Sequence, residues 1–148
     1  MMPNLDEVSI LIVEDDAGHA RLIEKNLRRA KISNGITRVE NGREALDFLF
    51  CEGAFEGRER PSPLLVLLDL NMPVMDGYQV LEQMKADPRT KKIPVVVLTT
   101  TDDAREVSRC YELGCSVYIT KPVDYDSFCE AIQQLGFFMS IVTVPNGE

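Results

Sequence analysis

Leu64-Leu65-Val66-Leu67-Leu68 is an unbroken apolar run bounded by turn signals. A run of this length and composition reads as a β-strand buried on both faces, and a sheet with such a strand needs helices above and below it. The run stops at Asp69, and a turn-forming stretch follows, Leu70-Asn71-Met72-Pro73-Val74-Met75-Asp76-Gly77. A carboxylate at the tip of a buried strand is costly without a partner. Asp69 is therefore expected either at an exposed sheet edge or in the grip of cations.

The remainder of the chain supplies the cover. Val8-Ser9-Ile10-Leu11-Ile12-Val13 reads as a first strand closed by Glu14-Asp15-Asp16, and Ala20, Leu22, Ile23 and Leu27 recur at helical spacing over 17–30. A turn at Ser33-Asn34-Gly35 precedes a short strand, Ile36–Val39. Asn41 is a good N-cap, with Glu44 in capping-box position, for a helix whose inner face is Ala45, Leu46, Leu49 and Phe50. Residues 51–63, with two glycines and two prolines, read as a surface loop or a helix end followed by a loop. Gly77–Ala86 forms a short helix with Val80, Leu81 and Met84 inward, ended by Asp87-Pro88. Ile93–Leu98 is a second fully apolar strand closed by Thr99-Thr100-Thr101. A helix from about Asp103 to Leu113 follows, with Thr101 or Asp102 as its N-cap and Gly114 just past its end. Val117–Thr120 is the fifth strand, and a last helix begins near Tyr125. Strand and helix alternate five times, which predicts a single doubly wound α/β domain with a parallel sheet and right-handed crossovers.

At 148 residues the chain is one ordinary domain, and 45% hydrophobic with 27% charged residues is a globular balance. A net charge of −8 disfavours nucleic acid and anionic membrane as partners. No apolar stretch reaches the roughly 20 residues of a membrane span, and the acidic start, Met1–Glu7, is unlike a secretory signal. Cys51, Cys110, Cys115 and Cys129 form no CxxC pair, and His19 is the single histidine, so the cysteines are expected as reduced packing residues of a cytoplasmic protein. His19 itself is expected on the exposed side of its helix.

In an open α/β sheet, ligands bind beyond the carboxyl ends of the strands. The residues that follow the strands are Glu14-Asp15-Asp16, Asp69 with Asn71, Thr99 with Thr100, and Lys121-Pro122. Clustered carboxylates with a carbonyl suit Mg²⁺, which takes oxygen ligands. Lys121 adds an ammonium, and the threonines add hydroxyl donors. Cation, ammonium and hydroxyl around one carboxylate are what phosphoryl transfer to that carboxylate requires, because the moving group spreads negative charge over three oxygens.

With these residues in view, the chain resembles the response-regulator receiver domains of two-component signalling. The resemblance runs over about residues 8–135 and rests on four separate motifs in order: Ile12-Val13-Glu14-Asp15-Asp16, Leu68-Asp69 through Asp76-Gly77, Val97-Leu98-Thr99-Thr100 and Thr120-Lys121-Pro122. It implies a CheY-like, flavodoxin-like sheet of order 2-1-3-4-5, with residues 1–148 as a single receiver and 136–148 as a C-terminal extension. It implies that Asp69 is the phosphoacceptor for a sensor histidine kinase. Asp15, Asp69 and the backbone carbonyl of Asn71 would hold Mg²⁺, with Glu14 reaching it through water. Lys121 would pair with Asp69 or the phosphoryl oxygens, and Thr99 and Thr100 would line the same site. Thr99 and Tyr118 would form the switch, and Lys121-Pro122 would be a cis peptide. Three departures from the commonest pattern stand out: the long 51–63 segment, Thr100 where a smaller residue is frequent, and the extension past residue 136. Together they look like the stand-alone regulators of bacterial phytochrome kinases.

Leu135, Phe138, Met139 and Val142 continue a helical stripe beyond what a receiver core needs, so the last helix is expected to extend and to pair two copies of the chain as a homodimer. With no output domain in view, the expected output is contact with a partner protein or onward transfer of the phosphoryl group; the protein is expected to be a phosphoacceptor rather than an enzyme. Three other functions fit less well. An aspartyl phosphatase wants a second acid two residues after Asp69, where Asn71 stands. A flavodoxin-like carrier would set Glu14-Asp15-Asp16 against its phosphate, and no glycine-rich phosphate loop is present. A phosphorylation-dead adaptor would not need the complete set of acids, Thr99 and Lys121.

Overall fold

A computed structural model of the chain describes residues 8–29, 35–61, 63–72, 74–100, 103–121 and 124–131. The strands are β1 (Ser9–Val13), β2 (Ile36–Val39), β3 (Leu64–Asp69), β4 (Val95–Thr99) and β5 (Val117–Thr120). The helices are α1 (Ala17–Arg29), α2 (Gly42–Phe50), α3 (Gly77–Ala86) and α4 (Ala104–Leu113), with residues 125–131 helical as α5. All strand pairs are parallel, in the order β2-β1-β3-β4-β5. The doubly wound sheet expected from the apolar runs is thus present, with the strand order that the family resemblance implies.

Alternation along the strands creates two cores. Ile10, Ile12, Leu65, Leu67, Val96, Leu98 and Ile119 meet Ile23 and Leu27 of α1 and Phe128 and Ala131 of α5. Leu11, Val13, Leu64, Val66, Leu68, Val95 and Val97 meet α2, α3 and α4 through Leu46, Leu49, Val80, Leu81, Met84 and Cys110. Every residue of β3 is buried, which is why it shows no polar alternation. Each buried Leu or Val contributes about 1.5–3 kcal/mol of transfer free energy, so the two layers anchor the strand tips firmly.

Element ends follow local chemistry. Asn41 caps α2 by accepting the Glu44 N–H at 2.9 Å. The Glu44 carboxylate reaches past the cap and accepts the Glu40 N–H at 2.8 Å. α3 carries a complete capping box between Asp76 and Gln79, more than the turn and helix start that Asp76-Gly77 signals in the sequence. The N-cap of α4 is Asp103, whose carboxylate accepts the Arg105 N–H at 2.8 Å; the expected caps, Thr101 and Asp102, lie outside the described residues. β4 begins at Val95 rather than Ile93, because Pro94 has no N–H to give the ladder and only its carbonyl pairs, with Val66 N–H.

Residues 51–60 are anchored. Cys51 ends α2 in the left-handed region (φ 56°) and Gly53–Phe55 forms a 3-10 turn. Phe55 packs edge-on against Phe48 with centroids 5.1 Å apart, and Arg60 donates to the carbonyls of Leu49 and Arg89. All four cysteines are free thiols, with Cys110 and Cys115 buried. No described helix is long and apolar enough to cross a membrane. The Lys121-Pro122 peptide, the extension of the last helix past residue 131 and the apolar C-terminal stripe lie outside the described residues.

Candidate functional site

The β1–β3 register sets Val13 beside Leu68, so Glu14, just past β1, and Asp69, the last residue of β3, stand at the same edge as neighbours. The β3–β4 and β4–β5 registers bring Lys121, one residue past β5, to that edge, where its N–H donates to the Thr99 carbonyl at 2.7 Å. Lys121 Nζ lies 2.7 Å from Glu14 Oε1 and 3.4 Å from Asp69 Oδ1. All three side chains are nine-tenths or more buried: 7% of Lys121, 1% of Glu14 and 4% of Asp69 remains exposed. Asp69 is therefore held by a cation, the second of the two alternatives its position leaves open.

Asp15 is exposed at the rim. One carboxylate oxygen each of Glu14, Asp15 and Asp69 lies within 4.8 Å of the others, close enough to share one cation. Burial pushes the Glu14 carboxyl up from its ordinary value; the Lys121 hydrogen bond pulls against that rise, and the Asp69 charge adds to it. A divalent cation would relieve the same crowding. Asn71 is exposed, and its N–H donates to Asp69 Oδ1 at 3.3 Å. This ties the start of the β3–α3 loop to the central carboxylate. Arg38 donates to the backbone carbonyls of Glu14 and Asp15 at 3.0 and 3.1 Å, fixing the β1–α1 turn that presents both acids.

Thr99 is fully buried at the end of β4, and Thr100 beyond it is exposed. Tyr118 is half-buried and packs against the α2–α4 core. The sequence patterns thus bring Glu14, Asp15, Asp69 and Lys121 into one cluster. Asn71 is bonded to it, Thr99 sits on the adjacent strand end, and Tyr118 faces the second core.

Two features have no clear sequence pattern. His19, expected simply to face solvent, is half-exposed yet places Nδ1 3.4 Å from Lys121 Nζ and 4.0 Å from Glu14 Oε2. Its signal is positional. Asp16 caps α1 by accepting the His19 N–H at 2.9 Å, so His19 occupies the third helical position, whose side chain turns back toward the cap. The second is Gly77. A Cβ there would stand 2.5 Å from the Asp69 carbonyl oxygen and 2.7 Å from Leu70 Cα, so α3 starts against the backbone of the central aspartate only because residue 77 has no side chain. Gly42 does the same for the neighbouring loops: its N–H donates to the Met75 carbonyl, which a Cβ would approach to 2.3 Å.

The chain that folds into this five-stranded parallel sheet, with an acid cluster and a lysine at its carboxyl edge, matches the family model described as the response regulator receiver domain over residues 10–133, and it belongs to that family. Among individual relatives it is similar to response regulator Rcp1 of Synechocystis sp. (strain ATCC 27184 / PCC 6803 / Kazusa), 37% identical over 137 residues that span 92% of each chain. Among solved structures it is similar to bacteriophytochrome response regulator RtBRR, with TM-score 0.80, 41% identity, and 86% of this chain covered against 77% of that one. It is also similar to the Mn²⁺-bound form of Rcp1, with TM-score 0.75, 38% identity, and coverage of 93% and 97%. The chain is a response regulator of a two-component phosphorelay.

Proposed function

We propose that Asp69 is the phosphoacceptor, that residues 1–148 form one receiver domain acting in the cytoplasm, and that this domain is a phosphoacceptor rather than an enzyme. The observation that carries this reading is the buried Asp69 carboxylate, with an ammonium 3.4 Å away and two further acids, Glu14 and Asp15, within shared-cation reach. In the transfer, an Asp69 carboxylate oxygen attacks phosphorus and the bond from phosphorus to the donor histidine nitrogen breaks, its electron pair returning to the imidazole. Lys121 then shifts its charge toward the phosphoryl oxygens, and the hydroxyls of Thr99 and Thr100 offer further donors.

Asp15, Asp69 and the Asn71 backbone carbonyl would hold Mg²⁺, with Glu14 bound through water. When bound, Mg²⁺ supplies charge neutralisation for the transferred group. The all-oxygen donor set fits such a hard cation, and a relative in this family has been solved with Mn²⁺. Thr99 and Tyr118 act as the switch that carries the change to a partner surface.

The donor we infer is a sensor histidine kinase of the phytochrome type, since a neighbour at 41% identity is a bacteriophytochrome response regulator. We further propose a homodimer through the last helix and the apolar stripe of residues 135–142, which the sequence pattern supports. Nucleic acid and membrane are not partners in this scheme. The test is incubation with acetyl phosphate and Mg²⁺ followed by intact mass and size-exclusion chromatography. Wild type should gain one phosphoryl group and Asp69→Asn none. Equal labelling of both would overturn the assignment of Asp69, and a single-copy elution volume at all concentrations would overturn the dimer.

A further inference from the structure

The Lys121 ammonium has three hydrogens and three acceptors around it: Glu14 Oε1 at 2.7 Å, Asp69 Oδ1 at 3.4 Å and His19 Nδ1 at 3.4 Å. An ammonium has no lone pair, so in this contact the histidine nitrogen is the acceptor. The other Glu14 oxygen, Oε2, already accepts the Asp16 N–H at 3.2 Å. Packing does not explain where the imidazole lies, because 47% of the His19 side chain is exposed. Its backbone is pinned instead by the Asp16 cap.

We propose that His19 is a positioning residue for Lys121, holding the ammonium on the α1 side of the acid cluster so that Asp69 keeps an oxygen open to a divalent cation. The inference rests on the reading of Glu14, Asp15 and Asp69 as the cation site. Without His19 the ammonium loses the one acceptor that holds it on the α1 side, and only the two carboxylates, Glu14 and Asp69, still draw it. The lysine then closes on Asp69 and competes with the cation for the same oxygen. Removing His19 therefore weakens cation binding although His19 is not itself a ligand.

The experiment uses the full chain as wild type, His19→Ala, His19→Phe and His19→Asn. Mg²⁺ affinity is measured by calorimetry with no phosphodonor present, and thermal melts without metal check that each variant folds. The alanine and phenylalanine variants should bind Mg²⁺ about fivefold more weakly, the effect of one net hydrogen bond. Their acetyl phosphate labelling should shift to correspondingly higher Mg²⁺. Asparagine sets an amide oxygen near the place of the ring nitrogen and should recover most of the affinity. Wild-type affinity in the alanine variant, or asparagine no better than phenylalanine, would overturn the proposal. A wild type that bound Mg²⁺ with these ratios between variants yet took up no phosphoryl group would count against Asp69 as acceptor while upholding the role of His19.

Discussion

The two sides of the sheet edge are built from different materials. On the α1/α5 side, Glu14, Asp69 and Lys121 continue the alternation of Ile12, Leu67 and Ile119, and charge holds them together. On the α2–α4 side, Thr99 continues Val95 and Val97, Tyr118 packs on the core, and Gly42 and Gly77 allow backbone to meet backbone. The first side is where added charge has its largest effect. The second has little charge to rearrange and, in the proposed switch, would transmit by contact. Backbone hydrogen bonds join them: Leu70 N–H to Leu98 O, Gly77 N–H to Leu70 O, and Lys121 N–H to Thr99 O. Under the proposed phosphorylation of Asp69, a change of charge there would reach α3 and the end of β4 through bonds already in place.

The largest expected effect is Lys121→Met. It leaves two buried carboxylates facing each other without their cation, which costs about 3–5 kcal/mol at neutral pH. The sign of the pH dependence follows from Glu14, whose folded pKa is raised by burial and is held down by the Lys121 hydrogen bond. Losing Lys121 raises it further. A group with a raised folded pKa favours the folded state fully below its unfolded pKa, near 4.5 for this carboxyl, and loses that contribution as pH rises through the folded value. The gap between variant and wild type in urea unfolding should therefore narrow as pH falls toward 4.5. A gap that stays constant with pH would break the distinction between the two sides.

Gly77→Ala probes the other side. The new Cβ meets backbone atoms, which cannot rotate away, so the loss should be about 2–3 kcal/mol. Unlike the lysine variant, it should be flat with pH, and added Mg²⁺ should not rescue it. The same unfolding series measures both.

This contrast also explains what the sequence made legible. Strands, helices and the acid-lysine cluster follow from runs, periodicity and strand-end position, because each is a repeating or local signal. His19 did not, since its place depends on how the Asp16 cap turns the first helical residues back over the cluster. Gly77 reads as an ordinary helix start, because only the three-dimensional approach of α3 to the Asp69 carbonyl reveals its need. The Asp103 cap was misplaced because three consecutive threonines and two aspartates offer equivalent local chemistry, and the helix start at Ala104 selects among them.

A smaller effect concerns the contact between α3 and α4. Tyr78 Oη donates to Glu106 Oε1 at 2.6 Å while the Arg109 guanidinium lies 4.1 Å over its ring. Burial and the Glu106 carboxylate together push the Tyr78 hydroxyl well above its ordinary range, so it stays a donor at any physiological pH. Tyr78→Phe keeps the ring under Arg109 and removes only the donor, with an expected cost of about 0.5–1 kcal/mol given the exposed acceptor. Because the lost bond ends on Glu106 of α4, the variant should also loosen α4 selectively, visible as a larger rise in amide exchange in Ala104–Leu113 than in α1.

Val74 gives the one expected gain, no larger than the loss at Tyr78. It is β-branched, 79% exposed and held at φ 70° in the loop that follows Asp69. A left-handed conformation costs an L-residue about 1–2 kcal/mol, least for asparagine. With so little of Val74 buried, packing recovers little of that cost. Val74→Asn should accordingly stabilise the fold by about 0.5–1 kcal/mol in urea unfolding. The informative readout is Mg²⁺ affinity in the same variant. Unchanged affinity would mean the loop takes this shape for any residue, because the Asn71 bond to Asp69 and the Gly42 bond to Met75 fix it at both ends. Altered affinity would mean that strain at Val74 helps aim the Asn71 backbone at the acid cluster, and the mechanical side of the edge would then extend into the chemical one.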